Sequence, residues 1–303
     1  MRESVASTSK PPANVGTQVS VFLGLTIVFS LPFWLLLARY KMDGHWPLVL
    51  GLMCAPGLAG MVSALACRVP MRRFGWRWPL WKWIAAGYFI PIGYSLIAYS
   101  FVWTTGLGHL QRNPLAGNAF ISWMPVWAYM LAVILLGALF VGVGLLGGST
   151  LGALGEEVGW RGFLVPALAT RLSFTQTSLA TGIIWGLWHV PLIFFAGYQG
   201  NTPRWYSLLC FSAMVIPLGF LFVWVRMRSG SLWPCVLLHR VHNMWIQNIL
   251  TPATGDTGHT RWWVDEFGAA LAIMSTLIGL YIWLKQRNSI DAVQPAQSAF
   301  SGQ

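Results

Sequence analysis

Only eight acidic residues occur among the 303 of this chain, and one adjacent pair of them sits in an apolar stretch. Glu156 and Glu157 lie in Gly155-Glu156-Glu157-Val158-Gly159-Trp160-Arg161-Gly162, between strongly apolar stretches. Four further ionisable side chains, Arg161, His189, His239 and His242, fall in equally apolar surroundings, as does Arg240, with Asn243 beside them. Ionisable groups at membrane depth are costly and generally face the interior of a bundle, where they mark a working site. Their spacing is helical. Glu157 and Arg161 are four apart and share a helix face, His239 and Asn243 repeat that spacing, and Trp185 stands one turn before His189.

Such residue types can hydrolyse a bond. A carboxylate can take a proton from water as a general base, and a histidine with an asparagine can donate hydrogen bonds to a developing oxyanion. Two histidines and a carboxylate are also a sufficient ligand set for zinc, which makes Glu156, His189 and His239 the candidate ligands of a divalent metal. The residues leave both mechanisms open. Two histidines four apart around a glutamate, the usual zinc helix, do not occur, so a metal would draw its ligands from three separate helices.

The elements that must position these groups are membrane helices. The chain is 56% hydrophobic and 9% charged, whereas soluble domains carry about 25% charged residues. Crossing the hydrocarbon takes about 20 apolar residues. Runs of that kind lie near 17–38, 46–66, 83–104, 119–147, 174–196, 205–225, 230–250 and 267–284. The expected fold is all-α: a polytopic transmembrane bundle of about eight spans, its helices kinked by prolines around a polar intramembrane cavity. Residues 1–16 and 288–303 read as disordered tails, 17–147 as the N-terminal transmembrane helices, 148–250 as the core that carries the chemistry, and 251–287 as a loop and the last span. Seven prolines, Pro32, Pro56, Pro91, Pro125, Pro191, Pro217 and Pro234, fall inside the expected spans and bend them by removing a backbone donor. The apolar stretch 150–171 is harder to place. Glu156 lies 17 residues before Ser173 and His189 lies 16 after it, so helices flanking a turn at Ser173 would bring both to one depth. A flexible point at Gly147-Gly148 would let this stretch enter the bundle without counting as a span.

The net charge of +11 is unevenly distributed. With eight spans and both termini in the cytosol, basic residues gather on the inner side, as the positive-inside rule requires. Orientation and anionic lipid account for the basic excess, and no nucleic-acid signature is present. The four cysteines lie in or at the ends of spans without metal-ligand spacing and read as small buried apolar residues.

"EEVGWR", "WGLWH" and "HRVHN", in that order on successive helices, fit the EExxxR, FxxxH and HxxxN boxes, with Trp185 in place of Phe. In this the chain resembles the CPBP intramembrane proteases, the CAAX-protease and bacteriocin-processing family that includes the Rce1-like prenyl-protein endopeptidases. The likeness covers about 155–245. It implies a peptidase sunk in the bilayer and open toward the cytosol, acting on a membrane-tethered peptide such as a prenylated C-terminal or a leader peptide. Carried over by motif, Glu156 would activate water and His189 would position it. His239 and Asn243 would stabilise the oxyanion, and Glu157, Arg161 and Trp185 would support the site. Two other functions fit the same groups: a proton-coupled transporter using them as a relay, and a catalytically silent scaffold.

Overall fold

The computed structural model describes residues 12–111, scattered positions between 125 and 139, and residues 148–287. Eight helices make up nearly all of it: α1 (Val15–Tyr40), α2 (Trp46–Ala66), α3 (Trp81–Thr104), α4 (148–168), α5 (Phe174–Ala196), α6 (Arg204–Ser229), α7 (233–250) and α8 (Ala269–Gln286). The fold is an all-α bundle. Among the described residues the sheet structure is one antiparallel pair, His109 with Gly255 and Leu110 with Thr254. It fastens the end of α3 to the loop before α8.

Six of these helices, α1, α2, α3, α5, α6 and α8, are long and apolar enough to cross a membrane, and the chain is an integral membrane protein. Their outer faces carry large exposed apolar side chains, such as Leu35 on α1, Phe89 on α3 and Leu277 on α8, as hydrocarbon solvation demands. The span expected over 119–147 falls largely outside the described residues. The one expected over 230–250 is α7, a shorter helix packed on α3, α4 and α6. Its start explains Pro234: the helix begins at Trp233, so this proline occupies the first turn, where no N–H is needed, instead of kinking the interior. The expected N-terminal tail ends earlier than residue 16, because Asn14 Oδ1 accepts from the Thr17 N–H at 2.9 Å and caps α1. The rest of both expected tails, 1–11 and 288–303, lies outside the described residues, and the point expected to flex at Gly147-Gly148 lies at their edge.

Most of stretch 150–171 forms α4, which ends at Leu168 and runs beside α2 inside the bundle. Hydrocarbon gives two helices no hydrophobic reason to associate, so close backbone approach and van der Waals contact have to hold them. Glycine makes this possible here. A Cβ on Gly57 of α2 would stand 2.3 Å from the carbonyl oxygen of Gly155, and one on Gly159 would stand 2.4 Å from that of Pro56. The two helices therefore touch backbone to backbone at the level of Glu156. Ser173 caps α5 reciprocally with Gln176, which makes the turn between α4 and α5 the hairpin expected there.

Gly57→Val is expected to lower stability by about 3 kcal/mol through overpacking. Gly24→Val should be silent, since nothing lies within 4 Å of that position. Thermal unfolding of the two variants in detergent measures the difference.

Candidate active site

The two glutamates face different ways. Glu156, 2% exposed, borders a cavity of about 700 Å³ that is also lined by His189, His239 and Asn243. Glu157 is wholly buried behind it. Its Oε1 accepts from Arg161 Nη1 at 2.8 Å and lies 2.9 Å from His239 Nδ1. The i,i+4 pair read from the sequence therefore forms, and it recruits a histidine 82 residues away. The Arg161 guanidinium lies over two rings that are themselves edge to face, 4.3 Å from the centre of Trp185 and 3.9 Å from that of Phe222. Cation–π attraction is worth ~2 kcal/mol or more once both partners are desolvated.

Glu156 is held by indoles. Trp185 Nε1 donates to its Oε2 at 2.9 Å and Trp160 Nε1 reaches the same oxygen at 3.4 Å. The substitution of Trp for Phe in the second box thus adds a donor that phenylalanine lacks. It also joins α5 to α4 at the Glu156 carboxylate.

The backbone determines which tautomer His189 adopts. Its Nδ1 lies 2.9 Å from the Trp185 carbonyl, which can only accept, so Nδ1 carries the proton and Nε2 is left for the cavity. His239 is oriented likewise by the Glu157 carboxylate, which leaves its Nε2 as the free nitrogen. A carbonyl or carboxylate fixing the far ring nitrogen is the arrangement found behind metal-bound histidines. Even so, among the described residues no three His, Cys, Asp or Glu side chains are grouped so as to hold a metal ion. The zinc set Glu156, His189 and His239 is therefore not assembled as a ligand cluster.

A π-helical turn accompanies each of the three boxes: Val158–Leu164 begins within the first, and Leu192–Ala196 and Trp245–Leu250 follow the second and third. Such turns insert an extra residue and commonly lie at functional sites. In the first of them the Val165 N–H bonds the Trp160 carbonyl, five residues back. The same register would assign the Arg161 carbonyl to residue 166, which is a proline without an N–H. Arg226, 1% exposed at the end of α6, supplies the missing donor: its Nε bonds the Arg161 oxygen at 2.9 Å and its Nη2 bonds the Arg73 oxygen at 2.9 Å.

A second polar group on the cavity wall is absent from the sequence reading. Glu266, in the loop before α8, accepts from the Tyr198 hydroxyl at 2.5 Å and stands 3.5 Å from His242 Nε2. The Tyr94 hydroxyl bonds the other ring nitrogen of His242. Burial opposes the charge on Glu266, but His242, Tyr198 and Gln247 outweigh it and hold the carboxyl below its ordinary value. The signal available in the sequence was the scarcity of acids. Glu266 adjoins an expected span and reads there as an ordinary loop charge.

With this geometry, residues 139–245 match the family model described as type II CAAX prenyl endopeptidase, Rce1-like. The matched segment carries all three boxes. A similar protein is CAAX prenyl protease 2 of Methanococcus maripaludis, 35% identical over 99 residues that make up 31% of this chain. The match spans 36% of that relative's length.

Replacing Arg226 by Met should leave the buried Arg161 carbonyl and the half-buried Arg73 carbonyl without this donor and cost roughly 3 kcal/mol. Lysine cannot bridge both oxygens and should fall between Met and wild type. Denaturation midpoints of the purified variants read this order, and equal midpoints would remove Arg226 from the account of the π turn.

Proposed function

We propose that this chain is an intramembrane endopeptidase that hydrolyses a peptide bond of a membrane-tethered substrate with a glutamate-activated water. The observation that supports it best is one buried cavity bordered by the Glu156 carboxylate, His189, His239 and Asn243. A water accepted there donates one hydrogen to Glu156 and the other to His189 Nε2. Glu156 takes the proton as the water oxygen bonds to the carbonyl carbon. The negative charge that develops on the carbonyl oxygen is met by the Asn243 amide and by His239. For His239 to donate from Nε2 while Nδ1–H faces Glu157 it must be the imidazolium, and the Glu157 carboxylate is the counter-ion for that form. The C–N bond then breaks, and Glu156 passes its proton to the leaving amine. Every step uses groups of this chain.

A leader-type peptide and a lipid-anchored C-terminal peptide both have the chemistry this site would act on. The family of segment 139–245 and the name of the Methanococcus relative favour such substrates.

Glu156→Gln should reduce cleavage of a tethered peptide in liposomes by about a thousandfold, within the range of losing a general base. Trp185→Phe should keep the fold but lose one hydrogen bond to a charged group. That is worth about 1.5 kcal/mol, or roughly tenfold in turnover. If wild type cleaves nothing across a wide peptide panel while Glu156→Gln stops proton-coupled solute flux, the site belongs to a carrier. If Glu156→Gln leaves the cellular effect intact, it belongs to a scaffold. Cleavage is also expected to survive exhaustive chelation. Its loss, with recovery on adding zinc, would assign Glu156, His189 and His239 to a metal instead.

A further inference from the structure

The cavity reaches one end of the bundle. Its rim includes Asp43 and Gly44 between α1 and α2, Tyr198 between α5 and α6, and Glu266 before α8. No described residue of the connections at the other end, α2–α3, α4–α5 or α6–α7, lines it. Contacts assign the connections to the two ends without reference to a span count. At the cavity end Lys41 Nζ bonds the Phe195 carbonyl at 2.9 Å, and the Tyr206 hydroxyl bonds that of Trp262 at 2.6 Å. At the far end Arg226 joins α6 to the α2–α3 connection through Arg73.

Charge separates the same two ends. The α2–α3 connection carries Arg68, Arg72, Arg73 and Arg77, and Lys82 opens α3. Arg171 lies between α4 and α5, Arg226 and Arg228 close α6, and Lys285 and Arg287 close α8. All of these are at the far end. The described basic residues of the cavity end are Arg39, Lys41, Arg204 and Arg261, and its acids are Asp43, Asp256, Asp265 and Glu266. Lysine and arginine accumulate in cytosolic connections.

We propose that the far end is cytosolic and that the active-site cavity opens on the opposite side of the membrane. On the peptidase reading of this site, the segment to be cut is then an extracytoplasmic one: a leader or juxtamembrane peptide presented at the outer surface. A C-terminal peptide tethered by lipid to the cytosolic leaflet would meet the closed end of the bundle. The family resemblance implies a cytosolic opening, and in this chain that would place the ten basic residues outside and the four inside, against the rule.

Cysteine accessibility in the full-length protein tests the orientation. With Cys54, Cys67, Cys210 and Cys235 replaced by alanine, single cysteines are introduced at exposed positions where no charge changes. Asn201→Cys and His259→Cys report the cavity end, Met71→Cys and Thr170→Cys the far end. A membrane-impermeant maleimide should label the first two on intact bacterial cells and the second two only after permeabilisation. The reverse pattern, or labelling of both ends on intact cells, overturns the proposal. The readout is independent of activity. An inactive protein with the expected pattern sinks the peptidase reading alone, and an active one with the reverse pattern sinks the orientation alone.

Discussion

A carboxylate in a low-dielectric interior survives as an anion only where donors replace the water it has lost, and this chain places two such groups side by side. It solves the problem differently for each. Glu157 receives a guanidinium and an imidazole on one oxygen and is closed off from the cavity. Glu156 receives two indole N–H groups and keeps its border with the cavity. The first acid is enclosed by its partners, and the second, on the proposed reading, is left for chemistry. Because the donors to this pair come from α4, α5 and α7, satisfying it is also what draws the three box-bearing helices together.

Holding donors and acceptors to hydrogen-bond distance requires the backbone to be equally well determined. Glycine contacts between α2 and α4 bring the helices to backbone distance beside Glu156. The π turn after Glu157 shifts the register by one residue, and Pro166 leaves the Arg161 carbonyl without an N–H. Arg226 closes that gap from a different helix. Arg161 is thus anchored twice, through its side chain to Glu157 and through its carbonyl to Arg226. The Trp185 and Phe222 rings both lie in cation–π contact with its guanidinium.

Much of this was legible beforehand. Hydropathy located the six helices apolar enough to span, and the i,i+4 rule found the Glu157–Arg161 pair. The distances of Glu156 and His189 from Ser173 anticipated that the two would border one hollow. Trp185 was recognised as an aromatic substitution but not as a donor, since a motif position says nothing of where an indole N–H points. Polarity in a loop is ordinary, so the sequence does not single out Glu266; only α3, α7 and Tyr198, which close around that loop, make it a buried acid. The helix over 230–250 is more polar than the spans around it, because α7 packs within the bundle and its polar groups have protein partners.

The sequence by itself determined the six long apolar helices and the Glu157–Arg161 pairing within α4, because those depend on rise and rotation per residue, which are constants. The tertiary structure decided which glutamate meets the cavity, that the Trp185 indole holds Glu156, that Arg226 supports Arg161, and at which end the hollow opens. These depend on how far each helix is rotated and where it crosses its neighbours. Contacts between residues remote in the chain set those angles, and no local pattern records them.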